Sequence, residues 1–342
     1  MFIRSDRTHG CCAVAQIVFF FQGAGVSLSA FYIVICVAVM AALRLLGAPE
    51  FSVLVYVAAV LVAILGVPHG GLDHWTGRRL LASRFRDSWW MMFFPGYLAV
   101  GVAVASSWFV FPLATVIGFF LLSAWHFGRE DQHRMAEKSE GPRSSAIVEH
   151  FSAIALGGLV IWIPALVRVE EMTWMLRMIV PANDAGAVEK IVFFTRSIAV
   201  ILCPIAWVAC VSQLRREVQD FNAWVPVATA GIAAIAPILV SFTAYFCLWH
   251  SILGLSRLRS QEGLTAFQFA ASILPLSVMA VAGVVAAGWF FRQSLGTSSI
   301  GTNPHNLQTL FIGLSAIAVP HLVLHEWAGL ARRASYRPET HS

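Results

Sequence analysis

Six histidines lie in or beside long apolar runs of this 342-residue chain. His69 and His74 sit in "GVPHGGLDHW", His126 in "LLSAWHFGRED" and His250 in "SFTAYFCLWHSILGLSRLR". His321 and His325 share "IAVPHLVLHEWAGL". Ionisable side chains are costly at bilayer depth and as a rule face a partner or a cavity there. A lone membrane histidine is most often a hydrogen-bonded packing residue. Several neutral imidazoles together suit Fe, Cu, Zn or Ni, and an all-nitrogen set open to O2 fits non-haem iron. His69, His126 and His250 are the candidate metal ligands. Each would want an acceptor for its second ring N–H, and Asp73, Glu130, Asp131 and Glu326 are close in sequence. His69 and His74 are about 140° apart on a regular helix, so both reach one ion only if Gly70–Gly71 breaks it. His321 and His325 share one helix face. His9, His133, His150, His305 and His341 fall in polar or terminal segments and read as solvated. Cys247-x-x-His250 has a metal-clip spacing, but no second pair accompanies it.

The elements that must position these residues are membrane helices. The chain is 58% hydrophobic and 12% charged, with a mean hydropathy of +0.74. A soluble domain carries about 25% charged residues. Runs near a bilayer's length are expected at 26–46, 51–68, 89–108, 112–127, 147–166, 191–211, 224–255, 267–290 and 306–329. They are continuous rather than alternating in polarity, which excludes a barrel. The expected fold is an all-α polytopic bundle of about eight to ten spans. Residues 1–50 form an N-terminal segment and first span, 51–330 the multispan core, and 331–342 a polar tail. Residues 1–25 have a charged start and apolar core, as a signal peptide or an anchor does. The six cysteines read as reduced packing residues.

The net charge of +5 reads as topology signalling rather than nucleic-acid binding, because the arginines cluster in short loops. The loop 76–88 holds Arg78, Arg79, Arg84 and Arg86, and the loop 128–146 holds Arg129, Arg134, Lys138 and Arg143. Both are expected to be cytoplasmic. The stretch 224–255 decides the rest. As one helix it puts Arg257, Arg259, Arg332 and Arg333 outside; as two segments broken near Pro237 it puts them inside. The broken form also brings His250 to the leaflet of His69 and His126, so a break near Pro237 is expected. The expected location is a cell inner membrane.

"GVPHGGLDH", "SAWHFGRED", "YFCLWHS" and "VPHLVLHE" resemble, in order, the signature stretches of the Brp/Blh family of membrane beta-carotene 15,15'-dioxygenases. The resemblance runs from residue 66 to residue 326. It implies an Fe(II) enzyme that takes an apolar carotenoid from the bilayer and adds O2 across the central double bond, releasing two retinal molecules. It implies iron ligands at His69, His126 and His250, and Asp73 and Asp131 behind them. The family's fourth histidine follows the third by four residues; that position here is Gly254. His321, His325 or His74 could replace it, or the corner stays open. The same residues could instead serve an oxidase or desaturase with another metal arrangement, or a non-enzymatic haem- or carotenoid-binding protein.

Overall fold

The computed structural model describes residues 27–136, 145–180, 186–294 and 304–335. Helix α1 (Leu28–Leu46) leads into α2 (Phe51–Leu61), which continues through a π-helical turn (Val62–Gly66) and a 3-10 turn (Val67–Gly70). Then come α3 (Asp73–Phe85), α4 (Trp89–Val110), α5 (Pro112–Ala136), α6 (Ala146–Gly157), α7 (Leu159–Val167) and α8 (Val169–Ile179). The second half holds α9 (Ala187–Glu217), α10 (Phe221–Ile235) and α11 (Ile238–Thr243). A π-helical segment (Ala244–Ser251) joins α11 to α12 (Ile252–Glu262), and α13 (Ala266–Ser294) and α14 (Pro304–Ser335) follow. The described residues are helical with no strand.

Six helical stretches among the described residues are long and apolar enough to cross a membrane, or seven counting the bent pair α6–α7. The protein is a multi-pass membrane protein. One of the six, Phe51–Val110, contains α2, α3 and α4, where two separate spans were expected from sequence. Most spans expose apolar side chains outward, as lipid-facing helices do; the stretch Ile238–Glu262 is instead 83% buried and forms the centre of the bundle. Helix α1 is built into the bundle through Tyr32, which is fully buried, shares a 3.0 Å hydrogen bond with Thr229 and packs on Trp249.

Several expectations need correction. The arginine-rich stretch 76–88 is not a loop: α3 runs to Phe85, because Arg, Leu and Ala are good helix formers and Gly77 lets α3 close on the Phe93 ring. Arg79 there donates to Glu262 at 2.7 Å. The loop expected at 128–146 begins later, since α5 continues to Ala136; residues 137–144 lie outside the described residues, as does the N-terminal stretch 1–26. The span 147–166 is bent by 60° at Gly158. Trp162 fills that bend and donates Nε1–H to the Ile154 carbonyl at 3.0 Å. Helix α8 was not expected at all. It buries Met172, Met175, Leu176 and Ile179, spaced as one helix face, and exposes Trp174.

The stretch 224–255 breaks at Ala236–Pro237, as expected, and its second arm extends to Glu262. Proline cannot supply a helical N–H, and α8 completes the junction. Glu171 Oε1 accepts from the Ile238 N–H at 2.7 Å, at the start of α11, where a negative charge suits the helix dipole. Arg168 pairs with Glu171 at 2.8 Å and donates to the carbonyls of Ala234 and Ile235 at the end of α10.

Candidate metal centre

Four histidine rings from four separate elements converge at the centre of the bundle. His69 comes from the 3-10 turn after α2, His126 from α5, His250 from the central π-helical segment and His321 from α14. Ring centroids lie 5.1 Å apart for His69–His250, His69–His321 and His126–His250, and 5.7 Å for His126–His321. One nitrogen each of His69, His126 and His321 lie within 4.8 Å of one another. All four rings line one cavity. Its remaining walls are apolar apart from Ser123 and include Phe119, Phe127, Phe242 and Phe246.

Each ring is aimed by a local irregularity that the sequence dictates. Pro68 and the Gly70–Gly71 pair end α2, so the chain turns just after His69; a Cβ at Gly71 would come 2.8 Å from Ile273 Cβ. π-helical turns are frequent at functional sites, and both examples here flank the centre. They meet where Gly66 makes room for the Phe246 ring, which a Cβ would approach to 2.6 Å. The π-helical segment carrying His250 is tied to α5, because Tyr245 Oη and Trp249 Nε1 each donate to the Asp131 carboxylate at 2.9 Å. On α5, Gly128 lets α6 cross directly beside His126: a Cβ would sit 1.9 Å from the Ala153 carbonyl oxygen. On α14, Pro320 precedes His321 and leaves the Ala316 carbonyl without its helical donor. Gly101 of α4 packs against that oxygen.

Asp73, 5% exposed at the start of α3, organises the fourth ring. His321 Nδ1 donates to its carboxylate, 2.8 Å from Oδ1 and 2.9 Å from Oδ2. Tyr97 Oη donates to Oδ2 at 2.8 Å, and His325 Nε2 lies 3.3 Å from Oδ1. A carboxylate on one ring nitrogen fixes the tautomer and turns the other nitrogen toward a metal. That other nitrogen, His321 Nε2, is buried without a hydrogen-bond partner among the described residues. The same holds for His69 Nδ1, His126 Nε2 and His250 Nδ1. Leaving one such atom unpaired costs about 1–3 kcal/mol. A metal ion could take the lone pairs of His69, His126 and His321, which the 4.8 Å grouping brings together, and the His250 ring adjoins that group. The donor set is nitrogen only, which fits a non-haem iron or another imidazole-binding metal.

The sequence candidates His69, His126 and His250 thus meet in one place, and His321 is the histidine that joins them. His325 also reaches Asp73 Oδ1, with its ring 4.3 Å from that of His321, but it is more exposed and does not line the cavity. His74 lies beside Trp75. Gly254 does not leave a corner empty. The His69 ring fills the space beside it, and a Cβ there would lie 1.8 Å from His69 Cε1 and 2.2 Å from Nδ1. Asp131 holds the segment bearing His250 through Tyr245 and Trp249, a different task from the ring acceptor expected of it. Glu130 pairs with Arg257 at 2.5 Å. The Asp73–His321 pair was not legible because it joins two distant parts of the chain. The Pro-His stretch was its only local signal.

The chain is similar to two curated proteins. One is named beta-carotene 15,15'-dioxygenase, from an uncultured marine bacterium 66A03; it is 28% identical over 78% of this chain and 91% of its own length. The other is named probable beta-carotene 15,15'-dioxygenase Blh, from Halobacterium salinarum; it is 22% identical over 77% of this chain and 81% of its own. No solved structure matches. The family model described as beta-carotene 15,15'-dioxygenase matches residues 60–328, a range that contains all four converging histidines and Asp73, and the chain belongs to that family.

Proposed function

We propose that this protein cleaves beta-carotene at its central 15,15' double bond with O2, using Fe(II) held by His69, His126, His250 and His321. In the reaction one C=C bond breaks and two aldehyde C=O bonds form, so both oxygen atoms of O2 enter the two retinal products. The observation that carries this reading is the set of four histidines that line one apolar cavity, each with a buried ring nitrogen that has no hydrogen-bond partner among the described residues. Bound Fe(II) supplies the centre at which O2 is activated.

The chain's own residues supply position and dryness. Asp73 holds His321 through Nδ1, and Tyr97 holds Asp73. The phenylalanine-lined walls suit a polyene that dissolves in the bilayer, and they keep water from a reactive centre. Holding the target bond beside the metal turns an encounter into an intramolecular step. The arginine distribution supports insertion in a cell inner membrane with α3 and the C-terminus on the cytoplasmic side.

The test is expression in a beta-carotene-producing bacterial host, with retinal and residual carotene quantified by chromatography. The expected result is two retinal molecules per carotene lost. Carotene retained in full, with no retinal, would overturn the reading. A haem-binding protein would instead show a Soret band on purification.

A further inference from the structure

A second cavity adjoins the first and shares Phe119, Ser123 and Phe242 with it. None of the converging histidines lines it. Its far wall is the inner face of α8, with Met172, Met175, Leu176 and Ile179, and its side is closed by Val160 of α7. These five residues are each at most 5% exposed. Beyond Ser123 the lining offers no polar side chain, so the occupant is apolar throughout.

We propose that this second cavity seats one cyclic end of the carotenoid, and that its α8 wall selects which double bond lies at the histidines. This rests on the function proposed above. A conjugated polyene presents a run of nearly equivalent double bonds, and a metal centre alone has little to distinguish them. A seated end does so by distance. The wall is suited to that task because α8 is anchored: Glu171 and Arg168 tie its first turn to the α10–α11 break, and Gln308 Nε2 donates to the Ile179 carbonyl at 3.0 Å at its other end. Methionine lets such a wall conform to a bulky ring, while the anchored backbone keeps its distance from the histidines constant. The wall lies outside every span expected from sequence, in a short helix with the charged Glu170 and Arg177 exposed on its outer face.

The experiment compares wild type, Met175→Trp, Leu176→Ala and the outward-facing control Trp174→Ala. Purified protein is given beta-carotene or a linear carotene without end rings, and both iron per chain and the chain lengths of the aldehyde products are measured. Met175→Trp shortens the cavity. It is expected to lose at least tenfold in retinal from beta-carotene, with a smaller loss on the slimmer linear substrate and wild-type iron. Leu176→Ala deepens the cavity and is expected to add aldehydes of unequal length from beta-carotene. Trp174→Ala should match wild type. Wild-type products from both cavity variants would overturn the proposal while leaving the activity intact. So would equal losses on both substrates at normal iron. If wild type itself gives no aldehyde, the proposed function fails and this inference fails with it.

Discussion

Replacing Gly254 by alanine should destabilise this protein and strip its metal, although helix propensity alone says the opposite. Gly254 lies within α12, where alanine is favoured over glycine by about 1 kcal/mol. The added methyl would lie 1.8 Å from His69 Cε1, so the ring must leave its place. Overpacking of this kind costs about 1–3 kcal/mol. The net effect in the native background is therefore a loss, and a displaced ligand ring lowers metal affinity by at least about 10–100-fold, the range seen when a ligand's support is removed. In a His69→Ala background the obstacle is gone, and Gly254→Ala should be neutral or stabilising by up to about 1 kcal/mol. The two substitutions are thus coupled, by about 1–3 kcal/mol. Thermal unfolding in detergent across the four members of this cycle, with iron content after dialysis against a weak chelator, reads both effects. Gly254→His, which helical spacing alone suggests would complete a ligand shell, should lose iron as well. Equal effects of Gly254→Ala in both backgrounds, or full iron in the single variant, would refute the reasoning.

Asp73→Asn should lower iron affinity about 10–100-fold while the protein still inserts, because the amide no longer holds His321 as a carboxylate does; competition with a chelator of known affinity measures it. His74→Ala and His325→Ala should each keep wild-type iron content by elemental analysis, since neither ring lines the histidine cavity. Single cysteines placed in α3 and after residue 335 should both be labelled from the cytoplasmic side. A periplasmic C-terminus would show that the Ala236–Pro237 break does not return the chain to the same face.

The legible parts of this molecule were those with a short-range signal. Continuous apolar runs gave the helical bundle, Pro237 and the arginines gave the break before α11, and the His-x context of His69, His126 and His250 gave three of the converging rings. What stayed hidden depends on contacts between distant segments. Choosing among His321, His325 and His74 requires knowing that Asp73 meets α14 one turn before His325, which no local pattern encodes. Gly254 could be read only by its helical register, whereas the volume beside it is set by a ring from the other half of the bundle. Asp131 follows His126 closely in sequence, yet its carboxylate reaches Tyr245 and Trp249 on the central segment. Helices α3 and α8 leave no bilayer-length apolar run in the sequence, because both are short and carry charge.

The most direct test of the account is iron per chain in purified wild type and His321→Ala, grown with iron and measured by elemental analysis. If four histidines from four elements hold the metal, wild type carries on the order of one iron per chain, as expected for a single imidazole-ligated centre. His321→Ala should insert and fold but retain less than about a tenth of that, a loss at or beyond the tenfold lower end of the range for a misdirected ligand. Wild-type iron in His321→Ala would remove the fourth ring from the centre, and no iron in wild type would contradict the central claim.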